Sequence, residues 1–314
     1  MPIIGRIKGI ILRMFFGDHP PPHFHATNNE KNGLFKIDDL EMFKGDLTSQ
    51  DQKQVKKWAK EAKSAARLAR KGSKKAQAKV NSLCEQLNHF VYTEVNKIFD
   101  EQKIPALIGG DHSTPFGAIR SAAERYDSFG VLHFDAHSDT REAYEGFIWS
   151  HASIMFNVLE EIPQVTKLVQ VGIRDFCEQE FKFVRSLDDR VSVFFDQDLK
   201  KEQESGTPWI HTVKKIVSTL PNQIWISFDI DGLDPRFCPH TGTPVPGGLD
   251  FNQALTLVRE CALSQKKIIG FDLNEVAPNP SDKHDEWDAN VAMRLLYKLS
   301  AWTLYSQGFV KKLC

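Results

Sequence analysis

Three short clusters hold two histidines and six aspartates, and the types and spacing of both histidines and four of the aspartates fit a divalent-metal site. The clusters read Gly109-Gly110-Asp111-His112-Ser113, Phe134-Asp135-Ala136-His137-Ser138-Asp139 and Ser227-Phe228-Asp229-Ile230-Asp231-Gly232-Leu233-Asp234-Pro235. A fourth stretch, Asn274-Glu275-Val276, follows later. The first three each come after an apolar run that reads as a buried strand: Ile104 to Ile108, Gly130 to Phe134 and Gln223 to Phe228. His112, Asp135, His137, Asp139, Asp229 and Asp231 would then meet where several strands of one sheet end. Taken alone, any one of these aspartates reads as a cap or turn residue. Burying four carboxylates together without a cation is prohibitive, and metal is the simplest compensation. Two imidazoles and four carboxylates without a thiolate disfavour structural zinc or iron–sulfur sites and suit Mn(II) or a similar ion. Four carboxylates balance two divalent ions rather than one. The H-x-D and D-x-D spacings fit extended segments, in which residues two apart point the same way. Asp135, His137 and Asp139 would share one side, as would Asp229 and Asp231.

From about residue 80 to the end, the chain resembles the ureohydrolase family of arginases, agmatinases and their relatives. The motifs that carry the resemblance are G-G-D-H-S, D-A-H-S-D, S-F-D-I-D-G-L-D-P and Asn274-Glu275-Val276. The resemblance implies a binuclear manganese centre. One Mn2+ ion would take His112, Asp135, Asp139 and Asp229. The other would take Asp135, His137, Asp229 and Asp231, with Asp135 and Asp229 bridging. Two such ions roughly 3.5–4 Å apart can lower the pKa of a shared water from ~15.7 toward neutrality. The resulting nucleophile would attack a guanidinium carbon and release urea and an amine. Asp139 is placed to hold that nucleophile by a hydrogen bond besides ligating metal. Glu275, in a family-like position after the strand Lys267 to Asp272, is expected to accept a charge-assisted hydrogen bond from the guanidinium. His151, in Trp149-Ser150-His151-Ala152-Ser153, matches the loop histidine of the family that handles proton transfer, a task suited to imidazole at neutral pH.

The resemblance also bears on the substrate. Arg141-Glu142-Ala143-Tyr144-Glu145-Gly146 lies where ureohydrolases place substrate-discriminating loops, and it lacks the asparagine-containing loop of an arginase. The pattern is closer to agmatinase-like members. Glu142 and Glu145 would favour agmatine, which carries a second cation, although solvated loop charge explains them equally well. The expected reaction is therefore agmatine to putrescine. An arginase- or guanidinobutyrase-type hydrolase is one alternative, and a non-catalytic binding or regulatory protein is another. The ligand set is complete, whereas a decayed scaffold usually loses ligands. The resemblance further implies a homo-oligomer, a trimer or hexamer.

The elements that must position these residues alternate. Further strands are expected at Lys167 to Ile173, Val191 to Phe195 and Lys267 to Asp272. Helices are expected around Thr114 to Arg125, Ala152 to Glu160, Pro208 to Leu220, Asp250 to Ser264 and Glu286 to Leu304. Such alternation predicts an α/β fold: three layers, α/β/α, around a mainly parallel sheet, with the site at the carboxyl ends of the strands. Pro244-Val245-Pro246-Gly247-Gly248 reads as a loop bordering the pocket. Gly172-Ile173-Arg174 resembles a family stretch, with no catalytic role expected of Arg174.

With 314 residues, 41% hydrophobic content and net charge −1, the chain can bury one large core, with or without a small appendage. It contains no apolar run of about 18 or more residues, so no membrane partner is expected. Cys84, Cys177, Cys238, Cys261 and Cys314 are scattered and odd in number, as in reduced cytoplasmic proteins.

Residues 1–70 depart from the family pattern and are expected to be a separate small α+β module, ahead of a ureohydrolase domain over 71–314. Ile3 to Phe16 could supply an opening strand of the main sheet. Residues 5–65, with Asp18-His19-Pro20-Pro21-Pro22-His23-Phe24-His25-Ala26, resemble a small bacterial domain family marked by D-H-x-P-P-H-F-H-A. His19, His23 and His25 are read as packing or surface residues. Lys53 to Lys79 hold eleven Lys and Arg against Glu61 alone. This run reads as a solvated helical face broken at Gly72-Ser73, with nucleic acid an unlikely partner. Val80, Leu83, Leu87, Val91, Val95 and Ile98 then form a helical packing stripe.

Overall fold

A computed structural model describes residues 3–7, 10–14, 23–28, 31–36, 42–282 and 284–310. The chain opens with β1 (Ile3–Ile7), β2 (Ile10–Met14), β3 (His23–Asn28), β4 (Lys31–Lys36) and β5 (Met42–Gly45), antiparallel in chain order. Ile3 to Phe16 is thus not an opening strand of the main sheet. Ile3–Ile7 and Ile10–Met14 instead pair antiparallel with each other, Gly5 opposite Leu12. His19 lies outside the described residues. His23 and His25 fall two apart on β3.

Two long helices follow, α1 (Ser49–Arg70) and α2 (Lys74–Asp100). Thr48 and Ser73 cap their amino ends, each accepting a backbone N–H three residues on. The break expected at Gly72-Ser73 is the turn between them. The stripe on α2 turns inward, with Val91 and Val95 buried.

The main sheet consists of β6 (Ala106–Ile108), β7 (Phe129–Phe134), β8 (Val165–Ile173), β9 (Val191–Phe195), β10 (Gln223–Asp229) and β11 (Lys267–Asn274). Its order is β6-β11-β10-β7-β8-β9, and every pairing is parallel. β7 is buried at every residue, as expected of a strand covered on both faces. One face is packed by α2, α3 (Phe116–Ala122), α4 (Ile154–Glu161) and α5 (Glu178–Ser186). Phe116, Ile119, Met155 and Val158 cover Phe129, Val131 and Trp225 there. The other face is packed by α6 (Asp196–Glu204), α7 (Trp209–Ser218), α8 (Phe251–Leu263) and α9 (Trp287–Ser306). Here Val213, Ile216, Leu257 and Leu295 cover Leu132, Phe134, Ile226 and Phe228. This is the expected three-layer arrangement. The sequence reading lacked α5 and α6, whose polar sequences show too few apolar positions to mark a helix.

Chain order reverses in space between β7 and β10. β6 is followed by β7, which lies three places away in the sheet, and β10 and β11 later fill the gap. Loops leaving β7 and β10 at such a reversal part to opposite sides and leave a crevice at the carboxyl ends. Gly232 makes the crevice narrow: a Cβ there would lie 2.7 Å from the backbone nitrogen of Asp135, so only glycine fits.

Candidate metal centre

His112 sits in the loop after β6, Asp135 directly after β7, and Asp229 is the last residue of β10. All three are buried, and the His112 Nδ1 lies 3.1 Å from carboxylate oxygens of both Asp135 and Asp229, and 3.4 Å from Asp139. His137 Nδ1 lies 3.3 Å from the other Asp135 oxygen and 3.1 Å from Asp231. The structure therefore brings all six sequence-predicted residues together, with Asp135 turned to both histidines. Ligand atoms of Asp135, His137 and Asp231 fall within 4.8 Å of one another, as do those of His112, His133, Asp135 and Asp139.

The D-x-D pair is not extended. Asp231 lies on a 3-10 turn, Ile230–Gly232, whose start Asp229 caps by accepting the Asp231 N–H at 2.9 Å. Asp231 in turn accepts the Ala136 N–H at 3.0 Å, tying the β10 loop to the β7 loop. Asp139 leaves the extended path too, with φ +54°, and its carbonyl accepts the Met155 N–H where α4 begins. Arg174 spans Asp231, Leu233 and Val245 by donating to their carbonyls, a purely architectural role.

The polar groups around the cluster decide which ring nitrogens are free. The Asp272 carboxylate accepts from Trp225 Nε1, Ser227 Oγ and Asn274 Nδ2, so the Ser227 proton is committed to Asp272. Ser227 Oγ must then accept at 2.9 Å from His112 Nε2–H. In a neutral ring this leaves the His112 Nδ1 lone pair facing the lone pairs of three carboxylates, which is repulsive unless a cation stands among them. His133, which the sequence reading passed over, is different. The Gln170 amide nitrogen donates to the Ser138 carbonyl at 2.7 Å and to His133 Nδ1 at 3.0 Å. His133 Nε2 therefore donates to Asp135 at 2.8 Å, and neither nitrogen is left to bind metal. His133 steadies Asp135. The spacing His133-Phe134-Asp135 held the only hint of this, since alternation in β7 puts both polar side chains on one side.

The electrostatics without a cation are those of a site built for one. Burial would lower the basicity of His112, but hydrogen bonds to Asp135, Asp139 and Asp229 override it and raise the pKa well above the usual range. Burial, reinforced by Asp231 and Asp135, raises the Asp229 carboxyl well above its ordinary value. Burial and the adjacent Asp135 push Asp139 up to about 7. Oxygen-rich, two-histidine and thiolate-free, the donor set fits hard or borderline divalent ions.

Glu275 follows β11 directly, with φ +60°; its Oε1 accepts the His112 N–H at 2.8 Å, and its own N–H donates to the Gly110 carbonyl. Burial and neighbouring Asp111 raise its carboxyl to about 7. His151 opens a 3-10 turn, His151–Ser153, at the start of α4. Its Nδ1 lies 3.5 Å from Asp111, and that contact, assisted by Asp139 and Glu275, raises its pKa against the effect of burial.

Residues 44–301 match the arginase family. An N(1)-aminopropylagmatine ureohydrolase of Thermus thermophilus is 32% identical over 201 residues, which cover 64% of this chain and 64% of that protein. An agmatinase of Bacillus subtilis is 30% identical over 218 residues, 69% of this chain and 68% of the relative. Among solved structures, an agmatine ureohydrolase of Thermoplasma volcanium is 26% identical with a TM-score of 0.60, covering 72% of this chain and 71% of that one. The strand order, the cluster at the carboxyl ends and the extent of these matches lead to one conclusion: the chain belongs to the arginase family.

Proposed function

We propose that this chain is a binuclear manganese hydrolase that cleaves a guanidino compound to urea and an amine, with agmatine as the substrate it fits best. The observation that carries the proposal is the convergence of the buried Asp135, Asp139 and Asp229 carboxylates within 3.1–3.4 Å of His112 Nδ1, while Nε2 lies 2.9 Å from Ser227 Oγ. The named activities of the Thermus and Bacillus relatives, both acting on agmatine or a derivative of it, support the substrate class.

His112, Asp135, Asp139 and Asp229 would hold one ion, and Asp135, His137, Asp229 and Asp231 the other. When bound, such a pair supplies Lewis acidity that makes water a nucleophile near neutral pH. The remaining work falls to side chains. One Glu275 oxygen is anchored by the His112 N–H, and the other points toward Gly242, where a guanidinium N–H can donate to it. Asp139 accepts a hydrogen bond from the attacking water and fixes its direction. His151, with Nδ1 turned to Asp111, presents Nε2 to protonate the departing amine. Apolar Met293, Tyr297 and Leu304 stand exposed along α9, which supports self-association into a trimer or hexamer. The free Cys84, Cys177, Cys238 and Cys261 suit the cytoplasm. Among the described residues no helix is long and apolar enough to cross a membrane. The antiparallel sheet over β1–β5 supports a separate small module within residues 1–70, ahead of the family match that begins at residue 44.

The test is urea release by Mn(II)-loaded protein from agmatine, arginine, guanidinobutyrate and guanidine. Urea from agmatine is expected, with none from the Asp229→Ala variant. Absence of urea from every compound, with metal bound, overturns the proposal.

A further inference from the structure

The loop between Asp139 and His151 closes on itself as a small hairpin. Tyr144 and Phe147 exchange two backbone hydrogen bonds, of 3.1 and 2.8 Å, around Glu145 and Gly146. Both central residues have positive φ, +52° and +83°, the geometry of a two-residue type I′ turn. A glutamate in that conformation is unusual, so something outside the turn must hold it.

The holding groups lie on α2, more than sixty residues earlier. Gln77 Nε2 donates to the Glu145 carbonyl at 3.2 Å. Asn81 Nδ2 donates to the Gly146 carbonyl at 3.2 Å, and Asn81 Oδ1 accepts the Ile148 N–H at the same distance. Gln77 and Asn81 stand one helical turn apart and so share a face of α2. The fit is tight: a Cβ on Gly146 would lie 2.5 Å from Gln77 Nε2. From behind, Asn157 Nδ2 donates to the Ile148 carbonyl at 2.8 Å.

The hairpin carries Tyr144 to the proposed proton donor. The Tyr144 ring meets the His151 ring edge-on, with centroids 5.7 Å apart, while the Arg141 guanidinium stands 5.2 Å from its centroid. Arg141 is itself held 3.3 Å from buried Glu180. His151 is therefore fixed by Asp111 through Nδ1 and by Tyr144 through its edge, and Tyr144 is fixed by a turn docked on α2.

We propose that Gln77 and Asn81 are positioning residues for the reaction. They hold the 144–147 hairpin on α2 and, through Tyr144, set the orientation in which His151 faces the departing amine. The proposal rests on the role given to His151 above. It makes α2 part of the site's machinery.

The experiment compares the full Mn(II)-loaded chain with its Gln77→Ala/Asn81→Ala variant and with Asn81→Asp, which keeps the acceptor for Ile148 and loses the donor. Three quantities are read. Amide exchange is followed over 142–150. Acylation of His151 by diethyl pyrocarbonate is followed on the tryptic peptide 142–167, in which it is the only histidine. Urea release gives kcat and KM. In the double variant, exchange is expected to rise over 142–150 and to stay unchanged in β10. Acylation should quicken about threefold or more, and kcat should fall about tenfold with KM changed far less. Asn81→Asp should fall between. Exchange and acylation equal to wild type in the double variant overturn the proposal. So does an unchanged kcat where both have risen. A wild-type chain that releases no urea from any compound defeats the functional reading instead. The exchange and acylation rates, which need no substrate, then still decide whether Gln77 and Asn81 hold His151.

Discussion

The buried cage of acids and histidines and the half-exposed loop from Arg141 to His151 are built on different principles. The centre of the cage is held by a chain of buried polar groups: His112 by Ser227, Ser227 by Asp272, Asp135 by His133, His133 by Gln170. In low dielectric any unpaired member would be heavily penalised, so the network is complete or the fold does not form well. The loop has no such constraint, since Tyr144 and Ile148 keep 38% and 43% of their surface exposed. A few amide hydrogen bonds from α2 suffice to place it. The cage is thus fixed by the sheet and the loop by a neighbouring helix, so changes in the two should separate metal binding from turnover.

The largest separation is expected from Asp229→Ala. Removing a carboxylate turned toward His112 leaves the remaining acids unable to hold a pair of ions. Bound Mn(II), measured by plasma emission spectroscopy, should fall below two per chain, and urea release should drop by at least about 10³-fold. Full metal occupancy in this variant would show that Asp229 is not a ligand. Glu275→Gln comes next. Glutamine keeps the acceptor for the His112 N–H and loses the charge, so metal content should hold. A charged hydrogen bond contributes about 1.5–3 kcal/mol, which corresponds to a fall in kcat/KM of about 10- to 150-fold. An unchanged kcat/KM would remove Glu275 from substrate binding.

His133→Ala tests the ring of support rather than the ligands. Outer partners of metal ligands typically alter affinity by about 10- to 100-fold, and a loss of that size is expected in calorimetric titration with Mn(II). Unaltered affinity would mean that Asp135 is held well enough by the hydrogen bond it accepts from the His137 N–H.

What was legible in the sequence follows the same division. The strands could be read because a sheet covered on both faces demands unbroken apolar runs, as in Phe129 to Phe134. The clustering of His112, Asp135, His137, Asp139, Asp229 and Asp231 could be read because so many acids after such runs have no bland explanation. His133, Ser227 and Asp272 could not, because a single polar residue inside an apolar strand declares nothing until its neighbours across the sheet are known. The extended reading of Asp229-Ile230-Asp231 failed for a local reason: Gly232 must press against the backbone at Asp135, and the chain reaches it through a 3-10 turn. The Glu145-Gly146 turn stayed hidden because glutamate is not a residue that marks a type I′ hairpin, and its support comes from Gln77 and Asn81, far off in sequence.

Arg70→Ala should give the smallest effect and the sharpest check on the loop. Arg70 Nε approaches the Glu145 carboxylate at 3.4 Å, beside the amide bonds from Gln77 and Asn81, and looks like part of the same latch. Both side chains are well exposed, however, at 69% and 47%. An exposed pair of this kind contributes about 0.2–1 kcal/mol and weakens with salt. The hairpin's carbonyls, not its charge, are what α2 holds. Loss of Arg70 should therefore leave kcat within about twofold of wild type, with no change in amide exchange over 142–150 above moderate salt. A tenfold fall in kcat, matched by Glu145→Gln alone and not deepened when both changes are combined, would mean that the ion pair and not the amides positions the loop. The acidic residue of the turn would then act on the site by where Arg70 pulls it, and the contrast between a cage fixed by burial and a loop fixed by amide bonds would have to be redrawn in favour of charge.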